Sequence, residues 1–437
     1  MRMAPSVDKG KHVCQRVFPM GRLDRIFWPC YDVFTNIFIT MVTKGGMGMR
    51  TIMRHCRLIP ELSGGYDGGY GDVVLAEGNI QSVSPQALPE DGDTVIDCCG
   101  KTLLPGLFDI HAHLNWDYYN GLLRLNDFKL MVNACLSAQR FLELGITTIR
   151  DLGAPKGLSV YVRDAIRRRL FNGPRIVTGG TILRPTAWTE PADPHCFLRY
   201  VSGAENFVRA AREEMGAGAD FVKLYAQGEP PELLPEELEA VVRVAHRYKR
   251  RVAVHAHDAT AISMCLDAGA DTIEHGSYIR QEDIRRLKDS TSTYLVPTLA
   301  VLSSEVPTPG FTPAQKAQML KPLLDANTRN ITAAYQAGLV LGFGTDTPVE
   351  EQLKLPGLEF RMRKTYCRMD NVDMLLQATR YSARICGLEN VTGSIAAGLA
   401  ADVILVDGQP DQDIAGMYRK PELVFAGGMM HRPRQDD

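Results

Sequence analysis

The sequence predicts an α/β protein: a (β/α)8 TIM barrel joined to a small β-sandwich domain formed from both chain ends. Three observations lead there. From residue 102 onward, eight short apolar runs alternate with longer helical patterns, the mark of repeated β-α units. The runs are apolar almost throughout, as strands covered on both faces are. On either side of this region the chain returns to short alternating segments broken by Gly and Pro, the texture of a small sheet.

The chain has 437 residues, 45% of them hydrophobic and 23% charged, enough for a large core and too ordered a mixture for a disordered or fibrous protein. A net charge of -2 gives no reason to expect nucleic acid or a membrane surface as partner, and leaves a small-molecule substrate. The ten cysteines contain no C-x-x-C pair, and Cys135, Cys265 and Cys386 sit in apolar segments. They read as reduced core thiols of a cytoplasmic protein. The run 26–42 is 17 residues long and carries Pro29, Asp32 and Asn36, too short and too polar for a membrane span.

Taken in order, residues 1–46 read as an N-terminal extension that is poorly ordered, since Met47 and Met49 stand just before the first regular pattern. Residues 47–101 read as hairpins. The eight apolar runs are 103–111, 147–152, 175–179, 220–225, 251–255, 271–275, 294–299 and 340–346, with helices at 129–144, 205–215, 235–250 and 313–337 between them. Eight repeats fit a closed barrel over 102–389 better than an open doubly wound sheet, and no glycine-rich dinucleotide fingerprint follows any of them. A further helix is expected at 371–388. Strand texture resumes over 390–437, which is expected to pair with 47–101, because either segment alone would leave an open sheet edge.

The polar residues fall where barrel chemistry is built. His111 and His113 end the first run, His255 and His257 the fifth, and His275 the sixth, while Lys223 lies inside the fourth and Asp346 ends the eighth. Strand C-termini of a barrel converge on one face. Residues two apart on a strand point the same way, so His111 and His113 can reach one divalent ion. A lysine in an apolar strand must be paired, deprotonated or modified. Its neutral amine can add carbon dioxide to give a carbamate able to bridge two ions; a salt-bridged or snorkelling lysine is the alternative.

Leu104-Pro-Gly-Leu-Phe-Asp-Ile-His-Ala-His, the strand lysine, Val254-His-Ala-His, Ile273-Glu-His-Gly and Gly344-Thr-Asp-Thr together resemble the metal-dependent amidohydrolase superfamily. More narrowly they look like its imidazolonepropionase-related branch, which includes Xaa-Pro dipeptidase-like and ochratoxinase-like carboxypeptidases. The closing segment 393–407 is similar to that superfamily's C-terminal β segment, so the resemblance runs from about Arg50 to the end.

The resemblance implies two divalent metals, zinc by default. His111 and His113 with Asp346 would hold the more buried ion, His255 and His275 the outer one, and carboxylated Lys223 would bridge them. His257 would stand behind the ligands or face substrate. Asp346 would shuttle the proton of a bridging water to the leaving amine. The implied activity is hydrolysis of the amide bond of a dipeptide or N-acyl amino acid, ochratoxin-type amides included. Hydrolysis of a cyclic amide or imidazolone is the alternative, and a noncatalytic binding barrel a third reading. Arg184, Trp188 and His195 in the long segment after the third run, and Tyr225 two residues beyond Lys223, are candidate substrate contacts. A homo-oligomer is expected.

Overall fold

The computed structural model describes residues 50–115, 126–186, 198–228 and 231–435. The readings made for 1–46, for Trp188 and for His195 lie outside these described residues. Among them, no helix is long and apolar enough to cross a membrane.

The chain opens with β1 (Thr51–Arg57), β2 (Tyr70–Ala76), β3 (Asn79–Ser84), β4 (Thr94–Asp97) and β5 (Thr102–Pro105). β1 pairs antiparallel with β2 and parallel with β4, and β2 turns back on β3. The apolar run 103–111 proves to be two strands. β5 stays with this first sheet, and β6 (Leu107–Ala112) starts the barrel. The break falls at Gly106, where a Cβ would lie 2.1 Å from Thr147 Oγ1, so only glycine lets the chain cross that close to the next strand.

The barrel continues through β7 (Ile146–Asp151), β8 (Arg175–Thr178), β11 (Phe221–Ala226), β12 (Arg251–Ala256), β13 (Thr272–His275) and β14 (Tyr294–Val296). Neighbours within β6-β7-β8 and within β11-β12-β13-β14 pair in parallel. Backbone hydrogen bonds join the two arcs. Asp220 N donates to Thr178 O at 2.7 Å. The segment 340–346 takes the eighth place: Gly342 N donates to Leu295 O at 2.9 Å, Ile110 N to Phe343 O at 2.9 Å, and Asp346 N to His111 O at 2.8 Å. It carries only an isolated bridge, Leu295 to Leu341, instead of a regular ladder. Its glycines explain why. They give poor strand propensity, yet a Cβ at Gly344 would sit 2.5 Å from His111 Cβ, and one at Gly342 would sit 2.7 Å from Ile110 Cδ1.

After the third barrel strand, where the sequence suggests only a loop, two short strands form: β9 (Ile182–Pro185) and β10 (Leu198–Val201), parallel to each other, with β9 also meeting β11 at Leu224. Four mostly buried residues of β9 suffice once β11 offers an edge.

The helices of the barrel are α1 (Asp127–Glu143), α2 (Leu158–Arg167), α3 (Ala204–Gly216), α4 (Pro235–Arg247), α5 (Ala259–Ala268), α6 (Gln281–Asp289) and α7 (Pro313–Gln336). α7 starts at a reciprocal cap between Thr312 and Gln315, with Pro313 in its first turn, the arrangement that satisfies the otherwise unpaired first amides. α8 (Val349–Lys354) and α9 (Leu358–Cys367) follow the eighth segment. The single helix expected at 371–388 is interrupted: α10 (Asn371–Leu376) passes through a π turn at Gln377–Tyr381 into α11 (Ser382–Cys386). Ser382 Oγ donates to Gln377 O at 2.6 Å, a side-chain bond that competes with the regular ladder.

β15 (Val403–Val406), β16 (Leu423–Ala426) and β17 (Met429–His431) then pair back onto β5, giving one eight-stranded sheet drawn from both chain ends. Its alternation is clean. Leu103, Leu405 and Leu423 pack into the sheet's own core with Met53, Val73 and Leu75. Leu104, Ile404 and Val424, one residue along, join the large core of the barrel. Two buried faces at period 2 bind this sheet to the barrel base.

Candidate metal centre

The predicted histidines meet at the C-terminal ends of β6, β12 and β13. Two groups of donor atoms form, each within 4.8 Å: His111, His113 and Asp346, and His255, His257 and His275. Burial holds the rings neutral. It pushes His113 and His257 down to about 4 and His111, His255 and His275 well below the usual range, so each ring keeps one bare nitrogen at neutral pH.

Which nitrogen is bare follows from the partner of the other. His111 Nδ1 donates to Glu274 Oε2 at 2.9 Å and His113 Nδ1 to Gly153 O at 2.9 Å. Both Nε2 atoms are left pointing at Asp346 Oδ1, at 3.7 and 3.6 Å. His255 Nε2 donates to Gln227 Oε1 at 2.9 Å, which bares Nδ1; that atom lies 2.8 Å from His275 Nε2. His275 in turn bonds Thr298 Oγ1 through Nδ1 at 2.7 Å. His111 and His113 thus turn Nε2 inward, His255 Nδ1 and His275 Nε2, while the other ring nitrogen of each is tied to a partner outside the cluster, which is the usual arrangement around a protein-bound metal.

Two buried polar atoms stand without a hydrogen-bond partner at this place: Lys223 Nζ and Asp346 Oδ1. Leaving such groups bare is costly; a divalent ion would remove the cost at the carboxylate, and a neutral or modified amine the cost at the lysine. Burial pulls Lys223 down to about 8 and pushes Asp346 up to about 8. The donor set of imidazoles, a carboxylate and a buried amine fits one or two divalent ions.

Two of these residues hold strained backbone. His275 has φ +71° and Asp346 φ +50°, a left-handed conformation that costs a non-glycine residue about 1–3 kcal/mol. Each stands where the extended backbone turns, and its side chain joins one of the two donor groups.

The supporting residues escaped sequence reasoning. Glu274 is fully buried; its Oε1 receives Arg150 at 2.6 Å and Thr272 Oγ1 at 2.5 Å. Arg150 also donates to Ile110 O at 2.7 Å, tying three barrel strands beneath His111. Below them Asp109, pushed up to about 6 by burial, accepts from Thr345 N at 3.0 Å and Thr345 Oγ1 at 2.6 Å. The signal that could have found Glu274 is an acid flanked by Ile273 and His275 in an apolar strand.

Of the predicted substrate contacts, Tyr225 stacks on His255 with centroids 3.9 Å apart, and the Arg184 guanidinium covers Tyr225 at 4.7 Å. Arg184 also pairs with Glu232 at 3.1 Å. His257, expected behind the ligands or toward substrate, is part of the outer histidine group and stacks on His275 at 4.5 Å.

Histidine clusters, a buried lysine and an aspartate at the C-terminal mouth of a (β/α)8 barrel define a metal-binding hydrolase of the barrel type. The chain belongs to the amidohydrolase family, whose model matches residues 102–430, and it is a hydrolase acting on amide bonds. It is 27% identical to ochratoxinase of Aspergillus niger over 378 residues, 76% of this chain and 75% of that protein. It is 23% identical to imidazolonepropionase of Deinococcus radiodurans over 391 residues, 82% of this chain and 91% of that one. Among solved structures, a prolidase complexed with N-methylphosphonate-L-proline matches with a TM-score of 0.77 at 25% identity, covering 88% of this chain and all of the other.

Proposed function

We propose that this protein hydrolyses the amide bond of a dipeptide or N-acyl amino acid that carries a free carboxylate, ochratoxin-type amides included. The observation that carries the reading is the ladder Arg184–Tyr225–His255, which sets a guanidinium one stacked ring away from a candidate metal ligand. An arginine at that reach suits the carboxylate of a substrate whose scissile carbonyl lies at the histidines. Glu232 now holds this arginine, and a substrate carboxylate would compete for it.

His111, His113 and Asp346 would hold one ion, and His255 and His275 the second. Lys223 would join them as a carbamate: its neutral amine bonds to the carbon of carbon dioxide, and the displaced proton leaves to solvent. Zinc suits the donor set. The chemistry that bound divalent cations supply is polarisation of a carbonyl and acidification of a water. Asp346 would accept the proton of the attacking water and return it to the leaving amine nitrogen. Tyr225 walls the site beside His255 and orients the acyl or side-chain group packed on it.

The test is zinc-loaded protein offered a panel of dipeptides, N-acyl amino acids, their carboxyl-amidated counterparts, lactams and imidazolones. Turnover of the free acids supports the reading. Turnover confined to cyclic amides would overturn it in favour of an imidazolone-type hydrolase.

A further inference from the structure

His257 stands in the outer histidine group, but its hydrogen bonds separate it from its neighbours. Its Nδ1 lies 2.8 Å from Ser277 Oγ. Ser277 is fully buried, and the same Oγ receives Asn327 Nδ2 from α7 at 2.9 Å. Asn330 Nδ2, one turn along α7, donates to Ser277 O at 2.8 Å, which fixes the serine backbone as well.

The direction of this chain follows from counting protons. A serine hydroxyl has one hydrogen. If both Asn327 and His257 donated to Oγ, that hydrogen would be buried without an acceptor. When it goes to His257 Nδ1, the serine hydrogen has its acceptor and Oγ still receives Asn327. Asn327 Oδ1 is buried and has no partner. Turning the amide over would put the Nδ2 hydrogens in that place, and bare buried N–H groups are rarer and costlier than a bare carbonyl oxygen. The relay therefore runs Asn327 to Ser277 to His257.

We infer that Asn327 and Ser277 are positioning residues that lock His257 as an Nε2–H donor, outside the ligand set, available to the oxygen of the reacting carbonyl. A ring whose Nδ1 accepts must carry its single proton on Nε2, and a protonated nitrogen does not bind a metal. His257 then stabilises negative charge on the substrate oxygen from the edge of the ring opposite Ser277. His255, whose Nδ1 is bared by Gln227, is the ligand of this strand. The oxygen-donor role rests on the amide-hydrolase reading above; the tautomer does not.

The experiment uses zinc-loaded full-length protein with 15N-labelled histidine, at pH 8. Two-bond proton–nitrogen correlation spectra are assigned for this ring by loss of its signals in His257→Gln. The expected pattern for His257 is an unprotonated Nδ1 and a protonated Nε2. Asn327→Asp, nearly isosteric, places only acceptors before Ser277, so the serine hydrogen turns to it and His257 shifts to the Nδ1–H form. His257→Gln keeps the zinc-to-chain ratio of the unaltered protein. With a substrate in hand, His257→Ala lowers kcat about 10²–10³-fold while KM stays within about threefold.

A protonated Nδ1 in the unaltered protein, or a fall in zinc ratio in His257→Gln, overturns the proposal. If Asn327→Asp does not fold, the wild-type spectrum decides alone; if His257→Gln does not fold, His257→Asn supplies the assignment and the zinc ratio. Because neither readout requires turnover, failure of the relay and failure of the proposed activity are distinguishable.

Discussion

His111 donates through Nδ1 to Glu274 Oε2 at 2.9 Å, while Arg150 holds the other oxygen of the same carboxylate at 2.6 Å. Both partners of that carboxylate stand on one arc of the barrel, on β6 and β7, while Glu274 stands on β13 of the other arc, so one buried acid orients a candidate ligand and ties the ring together. Glu274→Ala removes the acceptor and leaves Arg150 buried without its counter-charge. Metal affinity is expected to fall about 10–100-fold and stability by about 3–5 kcal/mol. Zinc titration and urea unfolding read the two effects separately; unchanged affinity would show that the carboxylate serves folding alone.

Asp346→Asn preserves the size of the side chain and removes its ability to take a proton. Turnover of the best substrate is expected to drop about 10²–10⁴-fold, with a smaller loss of bound metal. Metal stoichiometry by elemental analysis alongside single-turnover rates checks this. Near-normal turnover would remove Asp346 from the proton path.

Gly344→Ala would drive a methyl group to 2.5 Å from His111 Cβ and 3.1 Å from His111 N. The backbone must then shift at the first ligand strand. Overpacking of this kind costs about 1–3 kcal/mol, and the displaced His111 should weaken metal binding as well. Gly269→Ala would strain its own backbone at φ +74°, but meets no atom within 4 Å, and should leave metal binding intact.

Arg184→Leu tests the carboxylate contact. For a free-acid dipeptide kcat/KM should fall about 10–100-fold, mostly through KM, since the contact exists in ground and transition states alike. The carboxyl-amidated dipeptide should lose little. Equal losses for both would place Arg184 in the scaffold.

Lys316 gives a pH test remote from the metal site. It is buried, donates to Val306 O at 2.7 Å, and burial pulls it from the usual 10.5 down to about 8. The unfolded chain therefore binds more protons than the folded one between pH 8 and 10.5, and the cost of burying this cation is present below that window and fades as pH rises through it. In thermal melts, any stability advantage of Lys316→Met over the unaltered protein should be larger at pH 7 than at pH 10. A difference that is independent of pH would contradict the burial argument.

Much of the centre was legible before folding because period 2 is a local rule. His111 and His113 must share a strand face whatever surrounds them, and the C-terminal ends of barrel strands converge by topology. The strand pattern 251–255 and 271–275 carried His255 and His275 in the same way. Glu274, Arg150, Gln227, Thr298, Ser277 and Asn327 were not legible. Each is a single polar residue in an apolar or helical context, and its partner lies far along the chain: 163 residues from His111 to Glu274, 50 from Ser277 to Asn327.

By itself the sequence determined the repeated β-α units, the apolar barrel strands and the strand-end residues, since these follow from spacing and side-chain periodicity. The tertiary structure decided which nitrogen of each imidazole is bare, that the run 103–111 divides between two sheets at Gly106, and that 340–346 closes the ring through glycine-enabled contact with His111. Those outcomes depend on hydrogen-bond partners and close approaches between segments that lie from 23 to 163 residues apart in the hydrogen bonds, and farther still where Gly344 meets His111. Local pattern carries no record of them, because hydrogen-bond direction and steric clearance exist only after the segments meet.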